Sequence, residues 1–409
     1  MKKNVFRLLL SAALLMCCTV SVWAGLGTPP DDEIWYTSYD GKVIAPNYDN
    51  VFGASIESNT YNDGKGVIKF DGPVTKVGDW AFYDTDLTSM SLPNSVKSIG
   101  YRAFYWMDYM KEISLGNSVE TISNEAFCEC DGLETIAIPA SVTSLGESAF
   151  YDCNVLMFVA IGRGVTNIPK YAFYDCDELK SVAIDGNGVT LGYEAFYDCE
   201  KLETVSFLGD TQPSSIGDYC FYDCSPNLKY HVLEEYYDRY NSVSVLSWNV
   251  VKGPPYNEIW YTTNNGGTAE YTNSPKYSPP LNAYMGNHGV QFFDGNPPEL
   301  SSYNSCFNIC ANLVSAVVPS SITSIGQSAF NKCTSLVSVS IPNSVTGIGE
   351  YAFTECSSLQ TLTIPESVNN IGGCAFVHSA LRSVTILGIG NGDGSLIRLL
   401  GCDGQRVVP

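Results

Sequence analysis

Apolar and polar positions along this chain of 409 residues recur with one dominant period. A Phe that follows Ala or Cys, usually with a Cys three residues later, returns every 22 to 25 residues within two series. Self-similarity at such a period indicates a stack of small units, each of which buries its apolar face only against its neighbours. The pattern predicts a solenoid in two tandem stacks and excludes most enzyme folds. The repeated residues are Phe82, Phe104, Phe127, Phe150, Phe173, Phe196 and Phe221, followed by Phe307, Phe330, Phe353 and Phe376.

Within one turn, the pattern predicts a strand followed by a turn-rich return. Val182 and Ile184 alternate with Ser181, Ala183 and Asp185, and this period of two marks a strand with one buried face. Stacked turns then give a parallel sheet. The return is rich in Gly and short polar residues, and we expect the repeated Phe to fill the space between the sheet and the return.

One complete turn, Leu336 to Cys356, reads Leu-x-x-Val-x-Ile-Pro-x-Ser-Val-Thr-x-Ile-Gly-x-x-Ala-Phe-x-x-Cys. This unit resembles the BspA-type leucine-rich repeat of bacterial surface proteins. The resemblance covers eleven turns, roughly residues 74–221 and 307–386. It implies a leucine-rich-repeat solenoid whose parallel stacked strands are joined by turns or short helices. Because repeat stacks serve many purposes, the resemblance is more specific for fold than for function.

The stack occurs twice, and each copy opens in the same way. Glu33–Thr37 returns unchanged as Glu258–Thr262, and Gly66–Gly72 returns in similar form as Gly289–Gly295. Such cap segments cover the apolar face and free strand edge of a terminal turn. The expected segments are a signal peptide over 1–24, an N-terminal cap over 25–66, a first repeat module of seven turns over 67–230, a closing helix and linker over 231–257, a second cap over 258–288, a second repeat module of four turns over 289–387, and an atypical Gly-rich tail over 388–409.

The two modules are expected to end differently. His231–Tyr240 has the pattern of a short amphipathic helix, with Trp248 as a plug behind it, similar to the closing segment of many BspA-type stacks. After Ile386 the chain instead enters a Gly-rich stretch with no such helix. This composition predicts an atypical end with a disordered tail.

The N-terminus has the pattern of a secretory signal peptide. Lys2, Lys3 and Arg7 precede an apolar stretch over 8–22, and cleavage is expected after Ala24. The apolar stretch is short for a transmembrane span, and no later segment resembles one. We therefore expect a protein that is secreted from a bacterium or displayed at its surface.

A lipid anchor stays open as another route to the surface. Cys17 and Cys18 lie within the predicted signal peptide. Met16 in front of Cys17 argues against lipidation, because a small residue normally precedes a lipidated cysteine.

The charge balance is strongly acidic. The chain has 22 basic and 43 acidic residues and a formal net charge of −21. Removing residues 1–24 takes away three basic residues and leaves 19. Such a surface repels phosphate groups, so nucleic acids and anionic lipids are not expected as partners.

Fifteen cysteines in an exported protein would ordinarily indicate disulfides. Stacked side chains lie about 4.8 Å apart, which permits a bridge, but they point in parallel, whereas a disulfide needs a rotation of roughly 90° across its sulfurs. We expect small, buried, unreactive thiols. The cysteines that share one position in their turns are Cys130, Cys153, Cys176, Cys199, Cys224, Cys310, Cys333 and Cys356.

The sequence offers no catalytic constellation. Its three histidines, His231, His288 and His378, form no metalloprotease motif, and neither a nucleophile elbow nor a phosphate-binding Gly loop is present. A buried Cys column is also the wrong setting for a nucleophile. Paired carboxylates of the glycosidase type stay open, although an acidic solenoid offers many chance pairs. We predict a protein that is not an enzyme and has no metal or cofactor.

A repeated Tyr-Asp pair in the first module is the candidate binding site. It follows the repeated Phe in four turns that also carry the Cys. Exposed Tyr is common at interfaces, because it combines a large area with few torsions and a polar tip. Tyr83 and Tyr105 extend this stripe toward the N-terminus, and the second module lacks Tyr at this position. The candidate residues are Tyr151, Tyr174, Tyr197, Tyr222, Asp152, Asp175, Asp198 and Asp223.

Three interpretations of the stripe stay open. In the first, the stripe is a repeated packing arrangement whose Asp residues are solvated or cap backbone amides. In the second, it is a contact surface for protein or glycan. In the third, it is a row of carboxylates that binds Ca²⁺. No fixed loop of ligands supports the last of these. On the outer face of the sheet, small side chains such as Ser181, Ser206, Ser338 and Thr361 predict a flat hydroxyl floor suited to broad contact.

The sequence favours a non-catalytic binding protein. By resemblance to BspA-type proteins, the implied function is adhesion to host extracellular-matrix proteins or to bacterial surface proteins. The alternatives are a carbohydrate-binding accessory protein of a glycan-uptake system and a structural envelope protein without a ligand.

Overall fold

The protein is a solenoid of stacked parallel strands with about eleven turns and almost no helix within its described residues. The predicted fold class is therefore confirmed. The signal peptide, Trp248 and the Gly-rich tail lie outside the described residues. The computed structural model describes residues 28–233, 236–241, 250–255, 258–264, 281–284, 289–292, 299–300 and 307–387.

The first module opens with a small antiparallel sheet. Strand β1 (Glu33–Ser38) pairs with β3 (Lys65–Phe70) on one side and with the first long repeat strand on the other. Strand β2 (Ile56–Asn62) pairs with β3 and forms the outer edge. Burial alternates along β1, with Ile34 and Tyr36 in the core. The strand β3 crosses the boundary expected between the cap (25–66) and the first repeat module (67–230).

Each later turn contributes one long and one short strand, and both sets stack in parallel. Equivalent residues pair directly, as Val159 does with Val182 and Val182 with Val205. The long strands are β5 (Leu87–Ser91), β7 (Glu112–Ser114), β9 (Thr135–Ile138), β11 (Phe158–Ile161), β13 (Ser181–Ile184), β15 (Thr204–Phe207) and β17 (Lys229–Val232). The short strands are β4 (Lys76–Val77), β6 (Ser98–Ile99), β8 (Thr121–Ile122), β10 (Ser144–Leu145), β12 (Asn167–Ile168), β14 (Thr190–Leu191) and β16 (Ser215–Ile216).

The first module closes with less helix than predicted. His231 belongs to β17, where it pairs with β15, and helix α1 covers only Tyr237–Asn241. The helix predicted from His231 onward is thus wrong at His231 and Val232, because the sheet ladder continues through these two residues. Strand β18 (Val250–Lys252) adds the next edge strand. Tyr240 is fully buried and donates a hydrogen bond to the carbonyl of Gly209 at 3.0 Å, which fixes the helix over the last turns.

The second module repeats the plan of the first. Its antiparallel cap contains β19 (Glu258–Thr263), β20 (Leu281–Tyr284) and β21 (Gly289–Phe292). Its long strands are β23 (Leu313–Val317), β25 (Ser338–Ser340), β27 (Thr361–Ile364) and β29 (Ser383–Ile386). Its short strands are β22 (Glu299–Leu300), β24 (Ser324–Ile325), β26 (Gly347–Ile348) and β28 (Asn370–Ile371).

The return segments form a hydrogen-bonded ladder of their own. In the turn around Phe150, the N–H groups of Ser148, Phe150 and Asp152 donate to carbonyls of the next turn at 3.2, 2.8 and 2.8 Å. Ser148 and Asp152 have positive φ angles of 55° and 57°. This left-handed backbone on either side of the Phe points alternate N–H groups toward the next turn, so the Phe can enter the core without losing its backbone partner.

The repeated Phe rings form a continuous column in the core. Phe150 and Phe173 are fully buried, their ring centroids lie 5.1 Å apart, and the planes differ by 1°. Phe173 and Phe196 are 5.2 Å apart. This distance is close to the spacing of hydrogen-bonded strands, so the sheet sets the contact between the rings.

The repeated cysteines form a second column. The Cys153 thiol donates to the carbonyl of Phe127 at 3.1 Å, and the Cys176 thiol donates to the carbonyl of Phe150 at 3.3 Å. The same contact recurs in the second module between Cys356 and Phe330 at 3.1 Å. All cysteines in the described ranges are free thiols. Burial raises the pKa of Cys153, which keeps it protonated and unreactive.

The cap of the second module packs on the outer face of the first module's sheet. Trp260 is 1% exposed and forms an apolar cluster with Phe158, Ala160, Ala183 and Leu208. Strand β20 lies against β9 at the other edge of this contact. The open hydroxyl floor predicted for the first module is therefore wrong, because the second module covers it.

A buried carboxylate lies beside this tryptophan. Glu258 is fully buried and accepts hydrogen bonds from Ser206 Oγ at 2.9 Å, from Trp260 Nε1 at 2.8 Å and from Ser181 Oγ. Thr204 in turn donates to Ser181 at 2.5 Å. Burial raises the pKa of Glu258 to about 7, although its hydrogen bonds oppose the shift. The hydroxyl residues of the floor thus serve the junction between the modules.

Replacing a Phe of the column should cost much stability. Phe173→Ala leaves a cavity between two stacked rings, and we expect a loss of about 3–5 kcal/mol in the free energy of unfolding, measured with urea. Tyr48→Ala is the matched control, since Tyr48 is 55% exposed and should change this energy by about 0.5 kcal/mol or less. A loss below about 1 kcal/mol for Phe173→Ala would contradict the tight column.

Replacing a Cys of the column should distinguish a hydrogen bond from simple packing. Cys176→Ala removes the donor to the Phe150 carbonyl, so we expect it to be less stable than Cys176→Ser by about 1 kcal/mol in urea unfolding. Cys128 is buried but lies outside the column, so Ser should bring no such advantage over Ala there. Equal stability of the two Cys176 variants would argue that the thiol only fills space.

The buried carboxylate should make stability depend on pH. The folded pKa of Glu258 lies above its ordinary value of 4.5. The carboxyl group is therefore protonated below about pH 4.5 and costs no stability there, whereas above about pH 7 its ionised form destabilises the folded state by the full amount. Wild-type protein should therefore lose roughly 1–3 kcal/mol relative to Glu258→Gln between pH 5 and pH 8, measured by urea unfolding. Glu33→Gln, at the equivalent position of the first cap, is the control. Parallel pH profiles for wild type and Glu258→Gln would refute this cost.

Candidate functional site

The predicted tyrosines form one column on the outside of the return segments. The ring centroids of Tyr151, Tyr174, Tyr197 and Tyr222 are separated in turn by 5.0, 5.0 and 5.4 Å, and the planes differ by 5°, 4° and 19°. The first three are half-buried, and Tyr222 at the C-terminal end is 51% exposed. The structure therefore brings together the candidate tyrosines chosen from the sequence. We call this set the tyrosine column.

The column does not reach the N-terminal end of the module. Tyr83 and Tyr105 stack on each other with centroids 5.8 Å apart. In the turn between Tyr105 and Tyr151, the equivalent position is Cys128, which is 5% exposed. The predicted extension toward the N-terminus is thus a separate aromatic pair.

The aspartates beside the column have a backbone role. Asp152, Asp175, Asp198 and Asp223 have φ angles of 57°, 59°, 59° and 54°. Among residues other than Gly, Asp is one of the most tolerant of this left-handed region. The N–H groups of the first three donate to Tyr carbonyls of the next turn at 2.8, 2.9 and 3.0 Å. This geometry supports the packing interpretation for the aspartate backbone and still leaves their carboxylates at the surface.

The carboxylates of this row influence one another. Partial burial and the nearby carboxylates of Asp152, Asp177 and Asp198 raise the pKa of Asp175 to about 6. Burial also raises the pKa of Asp152, whose Oδ1 accepts a hydrogen bond from Asn154 at 2.8 Å. A cationic group on a partner would relieve this repulsion.

The row does not form a metal site by itself. Within the described residues, no group of three or more His, Cys, Asp or Glu side chains is arranged to hold a metal ion. The Ca²⁺ interpretation therefore has no geometric support there.

Three further tyrosines flank the column, and the sequence analysis missed them. Tyr171, Tyr193 and Tyr219 precede the repeated Phe by two or three residues. Tyr171 meets Tyr193 edge to face at 5.8 Å, and Tyr219 meets Tyr222 in the same way at 5.6 Å. Tyr193 and Tyr219 are 41% and 56% exposed. The recurrence of Tyr just before the Ala-Phe or Cys-Phe pair was the signal that could have revealed them.

A second aromatic cluster lies at the start of the module. Trp80 meets Tyr101 edge to face at 5.6 Å, and the Arg102 guanidinium lies 5.0 Å from the Trp80 ring and 4.6 Å from the Tyr105 ring. Arginine over aromatic rings is a stabilising cation–π contact. Unlike the tyrosine column, this cluster contains an arginine, and its guanidinium also forms a salt bridge with Glu125.

The outer face of the second module's sheet is exposed at β25 and β27, unlike the covered face of the first module. Ser338, Ser340, Thr361 and Thr363 are all exposed. The predicted hydroxyl floor thus holds for the second module.

None of the helices in the described ranges has the length and apolar character to cross a membrane.

The profile of the family described as "BspA type Leucine rich repeat region" matches residues 54–157, 155–242 and 301–390. A search of curated proteins gave no match. Among solved structures, the chain is similar to a leucine-rich repeat protein of T. pallidum, with 31% identity over 45% of this chain and 82% of that chain and a TM-score of 0.36.

Two similar structures span most of the chain. A leucine-rich repeat protein from Bacteroides ovatus is 18% identical over 90% of this chain and 98% of that chain, with a TM-score of 0.33. A leucine rich cell surface protein from Faecalibacterium prausnitzii is 21% identical over 92% of this chain and 98% of that chain, with a TM-score of 0.34.

The family profile indicates no catalytic family and suggests a surface protein that binds other proteins. The family profile spans more than half of the sequence. The chain therefore belongs to the BspA-type leucine-rich repeat proteins.

Proposed function

We propose that this protein is a non-catalytic adhesin that binds host extracellular-matrix proteins or other cell-surface proteins through the first module. The tyrosine column carries the proposal, together with the flanking Tyr193 and Tyr219. Half-exposed Tyr in a fixed arrangement offers contact area at a low cost in side-chain entropy. The neighbouring carboxylates of Asp152, Asp175, Asp198 and Asp223 complete the contact surface.

The ring arrangement favours a polypeptide partner over a glycan. Sugars commonly stack on the open face of an aromatic ring, whereas neighbouring rings in this column cover one another's faces at 5.0–5.4 Å. The column therefore offers mainly ring edges and hydroxyl groups. Edges and hydroxyls suit peptide carbonyls, side-chain amides and cationic side chains.

The negative charge beside the tyrosine column further restricts the class of polypeptide that this surface favours. Partial burial and the carboxylates beside the column raise the pKa of Asp175, so a Lys-rich or Arg-rich segment would gain from pairing with these carboxylates. Such a contact strengthens at low ionic strength. The same surface disfavours nucleic acids and anionic lipids.

We further propose that residues 1–24 direct export, with the mature protein secreted or held at the bacterial surface. The two repeat modules, 67–230 and 289–387, would then form the displayed part. A carbohydrate-binding accessory protein of a glycan-uptake system and a structural envelope protein without a ligand are the competing functions.

The test is binding of the full mature chain to immobilised matrix glycoproteins, their deglycosylated forms and polysaccharides. We expect saturable binding to a glycoprotein that survives deglycosylation. Changing the four tyrosines of the column together to Ser should reduce affinity at least tenfold, while changing them to Phe should reduce it less, because the ring edges persist. Tyr351→Ser is the control, since Tyr351 is 43% exposed in the second module.

The competing functions predict other outcomes. Competition of all binding by soluble polysaccharide would favour the glycan-uptake function. Absence of saturable binding on the whole panel, with an envelope defect when the gene is deleted, would favour the structural function. Equal affinity of the folded Ser variant and wild type would remove the tyrosine column from the binding site.

A further inference from the structure

The surface that joins the second module to the first has a duplicate at the start of the chain. Glu258, Trp260 and Val290 form the junction, and the equivalent residues of the first cap are Glu33, Trp35 and Val67. Trp35 pairs with Val67 as Trp260 pairs with Val290. The internal contact is also the same, since Trp35 Nε1 donates to Glu33 at 2.7 Å and Trp260 Nε1 donates to Glu258 at 2.8 Å. We call the first set the cap surface.

The two copies of this surface differ in burial. Glu258, Trp260 and Val290 are at most 1% exposed, because they pack on the first module. Glu33, Trp35 and Val67 are only half-buried. The Lys65 ammonium lies 3.1 Å from the centre of the Trp35 ring, and this long side chain can move aside for a partner. The cap surface is therefore a docking surface without a docked module among the described residues.

The surface that receives the second module also has a duplicate. Ser181, Thr204, Ser206 and Leu208 receive Glu258 and Trp260 on β13 and β15. On β27 and β29 the same register positions hold hydroxyl residues again, followed by leucine. The leucines match in backbone contact, because each N–H donates to an Ile carbonyl of the preceding turn at 2.9 Å. The equivalent residues, here called the floor surface, are Thr361, Ser383, Thr385 and Leu387.

The floor surface is open. Thr361, Ser383 and Thr385 are exposed, and Leu387 is 47% exposed, whereas its counterpart Leu208 is fully buried. The same leucine position is thus buried where a module docks on it and exposed where none docks among the described residues.

The location of the floor surface leaves room for a partner. The strand β23 is already engaged, since Val317 packs against the junction cluster that contains Trp260 and Phe158. The exposed strands begin with Ser338 on β25 and continue through β27 and β29. The Glu and Trp of a cap sheet placed over β27 and β29 would therefore lie beyond the strand that the junction occupies.

The two receiving surfaces are similar but not identical. Phe158, Ala160 and Ala183 line the first around Trp260. The equivalent residues of the second module are Ser338 and Ser340, which lie one turn before the floor surface, and Thr363, which lies on β27. The added hydroxyls reduce apolar burial, so docking there is weaker than inside the chain.

We propose that copies of this chain associate head to tail, with the cap surface of one copy packed on the floor surface of the next. Glu33 accepts hydrogen bonds from the hydroxyls of Thr361 and Thr385, and Trp35 packs against Leu387. The floor contributes neutral donors, so two acidic proteins meet at this point without like charges in contact. Because the two surfaces are unlike, the association is heterologous and continues into a chain or closes into a ring.

Complementation between two variants tests this arrangement. Trp35→Ser disables the cap surface, and Leu387→Asp disables the floor surface. In sedimentation velocity runs over a wide concentration range, wild-type full-length mature chain should associate progressively, and each variant should stay monomeric. An equimolar mixture of the two variants should form a dimer and nothing larger, since each supplies the surface that the other lacks.

The controls are exposed apolar residues elsewhere on the protein. Trp106→Ser and Val337→Asp, at positions that are 38% and 53% exposed, should associate as wild type does. Val67→Asp is a second cap variant for use if the near-UV circular dichroism of Trp35→Ser shows a disturbed fold.

Three results would overturn the proposal. One is a wild-type chain that stays monomeric at every concentration. Another is wild-type association in either surface variant. The third is a mixture of folded variants that remains monomeric. All of these readouts are independent of the tyrosine column and of matrix binding.

Discussion

The in-register stacking of parallel strands governs the rest of this structure. It places the same residue of successive turns about one strand spacing apart, so each repeated position becomes a column. Phe rings at 5.1 Å, as between Phe127 and Phe150, close the core, and Cys thiols donate to carbonyls of the preceding turn. The tyrosine column outside the returns is the same geometry expressed at the surface. A residue type that recurs once per turn in the sequence therefore recurs at one strand spacing along the solenoid.

The cap sequence occurs twice in the chain, and its two copies lie in different surroundings. At the start of the first module, the Glu and Trp of β1 stay half-buried, and in the second module the same residues fill a polar and apolar recess on the first module's sheet. Glu258 is a costly residue to bury, and its hydroxyl partners offset only part of that cost. A charged group in a buried junction fixes one register of packing, since any slip would leave the carboxylate without its donors.

The return segments and the sheet form two surfaces of different composition. The return face of the first module carries aromatic rings beside carboxylates, which suits contact with other proteins. The sheet face of the first module contacts the second module at Trp260, and the sheet face of the second module is exposed at Leu387. A surface protein that both binds a partner and lines up with its own copies would present many binding faces, and multivalency raises avidity without new contacts.

The sequence by itself determined the solenoid, the turns and the columns, because a period of about 23 residues leaves no other way to bury the repeated Phe. It also placed the tyrosines together, since residues one period apart must stack. It did not determine the role of Ser181 or Ser206, whose hydroxyls look solvent-directed in an alternating strand but are buried under Glu258. Nor did it set the start of α1, because His231 continues a ladder with β15. Contacts between turns follow from the repeat itself, whereas contacts between modules depend on how two completed surfaces meet, which only the tertiary structure decided.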